Sequence, residues 1–252
     1  MKKIMKKKKW LCVVPVILAA VVGCAACFVW KSAERTAAVG TDGENQVKRL
    51  CYSKYYNDDG TLNCLNGKAS DITELCEYEN LQLQYSDLNL EEDADEEVIS
   101  RKLGRYLKDY LVDSCELDGL SDAFAGHQME IMRYELEQDY EFEKAVQEMS
   151  HGTFYDTIYD YYGVERDAYE DYVSEQGIRE AVLAVIVQAI AEQQGIQVTR
   201  EDADQYLDEQ QMEESFDELA EKYGKGYLYH ITMQDKVFAF IESELTLKKD
   251  GE

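Results

Sequence analysis

The hydrophobic pattern of the chain begins with one long apolar run near the N-terminus. Residues 1–9 contain six lysines and no acidic residue, and residues 10–30 form an uninterrupted run of 21 apolar or small residues. About 20 apolar residues are enough for a helix to span a bilayer, and lysine-rich flanks stay in the cytoplasm. The pattern therefore predicts a single-pass anchor with residues 31–252 on the non-cytoplasmic side.

The same stretch has a second interpretation. Residues 21–24 (VVGC) resemble the lipobox of a bacterial lipoprotein, in which a small residue precedes a lipidated cysteine. Cleavage there would leave Cys24 as the first residue, held by lipid, whereas the apolar residues 25–30 favour a spanning helix. Both alternatives place the rest of the chain outside the cytoplasm, at the bacterial cell membrane.

Beyond the anchor (residues 1–30), the pattern changes twice. Residues 31–71 lack hydrophobic periodicity and contain several turn-forming residues, so we interpret them as a tether and turn-rich segment. Alternation over residues 77–85 predicts one short extended segment. Helical periodicity dominates the remainder, so the sequence predicts an all-α, multi-helix domain over residues 72–247 and a tail at 248–252.

Several helices can be placed by their spacing and end signals. Apolar spacing predicts one helix that reaches Leu111, a longer one from Ser121 to about Met149, and a last one that extends to Leu245. Residues 181–191 are apolar nearly all round, which predicts a buried central helix. Thr199 predicts an N-cap with an acidic third position. Glycines are predicted to end helices at Gly152, Gly163, Gly177, Gly195 and Gly224.

Charge and motifs narrow the possible functions. With 52 acidic and 26 basic residues, the chain is not expected to bind nucleic acid through phosphates. It contains no phosphate-cradling glycine loop, dinucleotide fingerprint or nucleophile elbow, so no nucleotide, cofactor or catalytic residue is predicted. His127, His151 and His230 have no partner at ligand spacing. We therefore expect no metal site, and we expect each histidine at the surface or at a helix cap.

Four cysteines lie outside the predicted anchor, and an even number in an oxidising compartment permits two disulfides. One arrangement joins the first two and the last two, but sequence alone allows three pairings. The candidates are Cys51, Cys64, Cys76 and Cys115.

Tyrosine is abundant, with 19 in the chain and six within 18 residues of the helical domain, from Tyr155 to Tyr172. A tyrosine ring combines apolar area with a polar tip. Most of these rings are expected to pack between helices, and a minority left exposed could bind unfolded chain. The candidate binding residues are Tyr155, Tyr159, Tyr162, Tyr206, Phe216, Tyr227 and Tyr229.

The C-terminal part of the sequence resembles the C-terminal chaperone domain of trigger factor. The resemblance is carried by residues 159–173 (YDYYGVERDAYEDYV), residues 187–207 (VQAIAEQQGIQVTREDADQYL), Tyr223-Gly224 and residues 236–241 (KVFAFI). It implies a helical cradle for unfolded chain. The family's ribosome-docking motif contains a proline, whereas the single proline here is Pro15. Its β-rich isomerase domain has no counterpart between residues 90 and 149, so the layout is also similar to SurA-type chaperones without their isomerase domains.

These observations lead to one main hypothesis and two alternatives. The main one is a non-enzymatic, membrane-tethered holdase whose partners are unfolded or newly exported polypeptides. One alternative is a scaffold module for a single envelope partner. The other is a peptidyl-prolyl isomerase, which rests on family association alone.

Overall fold

The computed structural model of the protein describes residues 50–150 and 155–251. The predicted anchor with Cys24, most of the predicted tether, Gly152 and His151 lie outside the described residues. Within the described part of the chain, no helix is both long and apolar enough to cross a membrane. Membrane attachment therefore stays a prediction from residues 1–30.

The described residues are mostly helical, which confirms the helical prediction, and short strands add two small sheets. The helices are α1 (Glu96–Ser114), α2 (Asp122–Ser150), α3 (Ile158–Tyr162), α4 (Arg166–Gln194), α5 (Arg200–Glu209), α6 (Phe216–Tyr223) and α7 (Lys225–Glu244). The strands are β1 (Thr73–Glu74), β2 (Gln82–Gln84), β3 (Glu116–Leu117) and β4 (Thr246–Lys248).

Each sheet has two strands. β1 pairs with β3 in antiparallel fashion, with Glu74 opposite Glu116. β2 pairs with β4 in parallel, with Leu83 opposite Leu247. The extended segment predicted over residues 77–85 contains β2, whereas β1, β3 and β4 were not predicted.

The described chain divides into two compact units. Unit 1 comprises residues 133–150 and 155–170, and unit 2 comprises residues 50–132 and 171–251. Helices α2 and α4 each contribute residues to both units. The most tyrosine-rich stretch falls in unit 1, and the apolar centre of α4 falls in unit 2.

Residues 181–191 of α4 lie in the core of unit 2, which confirms the predicted buried helix. Ile186 and Ile190 belong to a first apolar cluster with residues of α1 and α7. Val185 and Ala189 belong to a second cluster with residues of the 56–69 segment. Because different faces of the helix contact different partners, the sequence is apolar all round. Full burial of each such Val or Ile contributes about 1.5–3 kcal/mol.

Residues 50–71, part of the predicted turn-rich segment, pack into unit 2 through polar contacts with α4, one of which is buried. The Leu62 N–H donates to Gln188 Oε1 at 2.7 Å. Glu192 lies one turn further along α4, where its carboxylate accepts from the Ser70 N–H at 3.0 Å and the Ser70 hydroxyl at 2.7 Å. At Leu62, the α4 side chain thus satisfies a backbone N–H that is buried away from water.

One turn in this segment requires glycine. The Gly60 N–H donates to the Asn57 carbonyl at 2.9 Å, and Gly60 has a φ of +85°. A Cβ at this position would also come within 2.8 Å of the His230 backbone nitrogen on α7. Glycine therefore permits both the left-handed turn and the close approach to α7.

The predicted helix ends are largely confirmed. Thr199 caps α5, since its hydroxyl accepts from the Asp202 N–H at 3.2 Å while Asp202 accepts from the Thr199 N–H at 2.7 Å. Gly163 and Gly195, with φ of +64° and +66°, follow α3 and α4, and Gly224 follows α6. Gly163 and Gly195 supply the left-handed geometry that ends a helix, and Gly224 ends α6 with a positive φ of +85°.

Gly177 corrects the sequence prediction, because it lies inside α4 and ends no helix. A Cβ there would stand 2.6 Å from the Cα of Met129 on α2. The absence of a side chain lets the two backbones approach closely within unit 2. Close packing, rather than chain reversal, explains this glycine.

Candidate functional site

Unit 1 brings together six tyrosines, which we call the tyrosine cluster. Its short central helix, α3, is fixed at both ends: the Thr157 hydroxyl accepts from the Asp160 N–H at 3.2 Å, and Gly163 ends the helix with φ of +64°. Three rings of the cluster lie on α3, one lies on α2 and one on α4. The sixth, Tyr155, lies in the segment just before α3. The members are Tyr140, Tyr155, Tyr159, Tyr161, Tyr162 and Tyr169.

The rings of the cluster contact one another. Ring centroids are 4.7 Å apart for Tyr161 and Tyr162, 5.4 Å for Tyr155 and Tyr161, and 5.5 Å for Tyr159 and Tyr169. All three pairs are close to edge-to-face, an arrangement worth about 0.5–1.5 kcal/mol per pair beyond burial. The rings therefore hold one another in place.

One carboxylate holds two hydroxyls of the cluster. Asp139 Oδ2 accepts from Tyr161 at 3.3 Å and from Tyr162 at 3.2 Å. Burial raises the pKa of both phenols, and the Asp139 charge raises it further. Both tyrosines therefore stay protonated and act as hydrogen-bond donors at physiological pH.

The buried members differ in how their hydroxyls are satisfied. The Tyr140 hydroxyl donates to the carbonyl of Tyr155 at 3.1 Å. The Tyr169 hydroxyl is buried and has no hydrogen-bond partner among the described residues. A buried donor without a partner costs about 1–3 kcal/mol. The Tyr169 hydroxyl is therefore one group of the cluster that can still form a hydrogen bond.

Exposure within the cluster is graded. Tyr140 and Tyr169 are buried, the three rings of α3 are half-buried, and Tyr155 is 39% exposed. Among the described residues, the exposed large hydrophobic side chains are Tyr155 and Ile178. The cluster is thus a mostly closed set of rings with an accessible edge at Tyr155.

The surroundings of the cluster are strongly acidic. Residues 133–170 include eleven acidic and three basic residues. One of these bases, Arg133, is engaged by Glu170 through two hydrogen bonds of 2.9 and 2.6 Å, which join α2 to α4 within unit 1. An acidic surface beside aromatic rings favours ligands that combine apolar and basic groups.

The structure distributes the seven predicted binding residues between both units. Tyr155, Tyr159 and Tyr162 meet in the tyrosine cluster, whereas the other four belong to unit 2. Phe216 and Tyr229 are only 3% and 8% exposed, and their ring centroids are 5.2 Å apart.

The two remaining predicted residues of unit 2 are half-buried. Tyr227 packs its ring 5.1 Å from the ring of Tyr52, and Tyr206 lies on α5. Because Phe216 and Tyr229 offer a ligand almost no surface, we confine the candidate site to unit 1. Sequence reasoning did not assign Tyr140 or Asp139 to it, since their partners lie about 15–23 residues away along the chain.

The candidate cysteines occupy different surroundings in unit 2. Cys76 and Cys115 place their sulfur atoms 2.8 Å apart. Cys51 is exposed, and Cys64 is half-buried against the second apolar cluster.

The expectation that each histidine lies at the surface or at a helix cap was wrong for two of them, since His127 and His230 lie inside α2 and α7 and are each 3% exposed. His230 Nδ1 lies 3.0 Å from the Gly60 carbonyl, and its Nε2 is buried without a hydrogen-bond partner among the described residues. Burial lowers the pKa of His230 to about 4. No group of three or more His, Cys, Asp or Glu within the described part of the chain could hold a metal ion.

The geometry of unit 1 suits binding, since it offers aromatic area, phenol donors and negative charge. The trigger factor resemblance stays a prediction made from the sequence. Comparison of the chain with protein family models, with curated proteins and with solved structures found no match in any of the three.

Proposed function

We propose that the protein is an extracytoplasmic, membrane-tethered chaperone of the holdase type, which binds unfolded or newly exported polypeptides without catalysing a reaction. The observation that carries the proposal is the tyrosine cluster of unit 1. Four of its six rings are half-buried or exposed, and Tyr155 is one of two exposed large hydrophobic residues among those described.

The chemistry of the cluster suits broad recognition of unfolded chain. Tyrosine rings bind apolar and aromatic side chains without requiring a fixed shape, and their hydroxyls add hydrogen bonds. The surrounding carboxylates attract basic segments of a client and repel acidic ones. Because clients differ in sequence, such contacts are individually weak and together give low specificity.

For the fold, we propose the trigger factor C-terminal or SurA-like class. Support comes from the order of elements after the central helix: α4 ends at Gln194, Gly195 follows, and a short link leads to Thr199 at the start of the acidic helix α5. This order is the one that the resemblance implies for the segment.

Tethering has a physical role in this proposal. A chaperone held at the membrane by residues 1–30 meets polypeptides where they emerge from export. A short tether raises the effective concentration of the binding surface near those chains. Weak individual contacts are then sufficient for capture.

An aggregation assay tests the proposal. The full chain, reconstituted into lipid nanodiscs, is added to a chemically denatured, aggregation-prone protein as that client is diluted into buffer, and light scattering follows aggregation. We expect scattering to fall as the nanodisc concentration rises. Unchanged scattering at several-fold molar excess over client, relative to empty nanodiscs, would contradict the proposal.

A pair of variants localises the activity. Tyr155→Ala combined with Tyr159→Ala should weaken client binding by about five- to tenfold, the effect of losing roughly 1 kcal/mol at an interface. Ile178→Ala is the matched control, because Ile178 is the other exposed large hydrophobic among the described residues but belongs to unit 2. Equal effects of the two changes would argue against the tyrosine cluster as the binding surface.

A second candidate is a scaffold for one envelope partner. It is favoured by the limited apolar exposure of the described residues, since a specific, non-obligate interface is about as polar as ordinary surface. Crosslinking of the full chain in its membrane, followed by pull-down, separates the candidates. A scaffold yields one dominant partner, and a holdase yields many unfolded ones.

A further inference from the structure

Cys76 and Cys115 form a pair that no sequence motif singles out. Their sulfur atoms are 2.8 Å apart, within about 1 Å of the roughly 2.05 Å length of a disulfide bond. The Cys76 N–H also donates to Cys115 Sγ at 3.2 Å. The two side chains therefore already face each other.

The backbone around the pair fixes this arrangement. Cys76 follows β1, and Cys115 lies between the end of α1 and the start of β3. β1 and β3 are paired with Glu74 opposite Glu116, directly beside the cysteines. The Tyr110 hydroxyl adds a further link from α1, since it donates to the carbonyl next to Cys76 at 2.7 Å.

The environment separates this pair from the other two cysteines. Cys115 is buried in the first apolar cluster of unit 2, and Cys76 packs against the same cluster. Cys64 packs against the second cluster, and Cys51 is exposed. Cys115 thus shares its apolar surroundings with Cys76, whereas Cys64 lies against a different cluster.

We propose that Cys76 and Cys115 are joined by a disulfide bond in the mature protein. Of the three pairings that the sequence allows, this geometry selects the one that contains Cys76–Cys115. The inference does not depend on the proposed chaperone function, although it fits an oxidising compartment.

The chemistry requires a disulfide donor, which we take to be a thiol–disulfide oxidase or a small-molecule disulfide. One cysteine of the pair exchanges with the donor to give a mixed disulfide and releases the first donor thiol. The sulfur of the other cysteine then attacks the cysteine sulfur of that mixed disulfide and displaces the second donor thiol. One S–S bond breaks and one forms, and the two cysteine protons end on the donor's sulfurs.

In the dithiol, the contact between the two cysteines lowers the pKa of the Cys115 thiol to about 7 and raises the pKa of Cys76. A thiolate is the attacking species in such exchange. The reduced pair therefore holds one sulfur that is reactive near neutral pH.

Peptide mapping of the full chain tests the assignment. The protein is purified from its membrane after free thiols are alkylated, digested without reduction, and analysed by mass spectrometry. We expect a linked peptide pair that contains Cys76 and Cys115. Free, alkylated Cys76 and Cys115, or a peptide that joins either one to Cys51 or Cys64, would overturn the assignment.

Thermal unfolding supplies a second readout. Closing the loop between residues 76 and 115 should stabilise the native state, so reduction of the wild-type chain should lower Tm by on the order of 10 °C. Cys76→Ser should remove the part of this shift that comes from the Cys76–Cys115 bond, whereas Cys64→Ser, the matched control, should retain that part. An equal reductant effect in Cys76→Ser and wild type would contradict the assignment.

Discussion

The buried His230 makes folding stability depend on pH in a way that can be calculated from its surroundings. Its Nδ1 lies 3.0 Å from the Gly60 carbonyl, so Nδ1 carries the proton and Nε2 is the unprotonated nitrogen. That Nε2 is buried and has no hydrogen-bond partner among the described residues, and the ring lies 4.7 Å from the ring of Tyr56. A proton on Nε2 would place an unpaired charge in the core of unit 2.

The direction of the effect follows from proton binding. Burial lowers the pKa of His230 to about 4, whereas an unfolded histidine titrates near the ordinary value of 6.5. Between these values the unfolded state binds the extra proton, so the free energy of unfolding falls as the pH falls from 6.5 to 4. Each unit of pKa difference corresponds to about 1.4 kcal/mol, so the free energy of unfolding falls by about 3 kcal/mol between pH 6.5 and 4.

His230→Asn isolates this contribution, because its amide can still donate to the Gly60 carbonyl but does not titrate. Urea unfolding of both full chains is measured from pH 7.5 to 4. Carboxylates titrate alike in the two proteins and cancel from the difference. We expect the wild-type advantage to shrink by about 3 kcal/mol between pH 6.5 and 4. A difference that stays constant with pH would refute the reasoning.

Three further tests address the fold and the anchor. Gly177→Ala should lower the free energy of unfolding by about 1–3 kcal/mol, because its Cβ would meet the Met129 backbone, whereas Gly126→Ala, with open space around it, should raise it by about 0.5–1 kcal/mol. Similar urea midpoints for the two variants would contradict this. Thr199→Ala should cost about 1 kcal/mol through loss of the α5 cap, and Thr199→Ser should restore most of it in the same assay. With a spanning anchor, the Cys24→Ala chain stays in the membrane fraction; its release into the soluble fraction would instead show a lipid anchor.

The features that sequence predicted best are those with local causes. The central part of α4 is recognisable because eleven consecutive residues, 181–191, are nearly all apolar. The Thr199 cap is recognisable because the donor and acceptor of the box lie three residues apart. In each case the sequence signal lies within one short segment of the chain.

The features that sequence missed depend on partners far along the chain. β4 pairs with β2, which lies 164 residues earlier. No local sequence pattern predicts this pairing. His230 is buried by the Gly60 turn, and Gly177 is required by Met129 on another helix. Spacing within one segment cannot reveal such contacts, because they form only when the chain folds.

The tyrosines illustrate both cases. Their density in residues 155–172 is plain from the sequence, and the structure places these tyrosines just before α3, on α3 and at the start of α4. Which ring remains accessible is decided by packing: Tyr155 is 39% exposed while Tyr169 is 4% exposed. Both residues are tyrosines, so the difference in their exposure comes from the tertiary structure alone.

Site-specific photocrosslinking tests the central claim most directly. A benzophenone amino acid replaces Tyr155 in the membrane-reconstituted full chain, and the control carries it at Gln205, an exposed position on α5 of unit 2. We expect position 155 to crosslink a denatured client several times more than position 205, and to crosslink the folded form of the same client weakly. Equal labelling from the two positions, or equal labelling of folded and unfolded client, would contradict a tyrosine cluster that binds unfolded polypeptide.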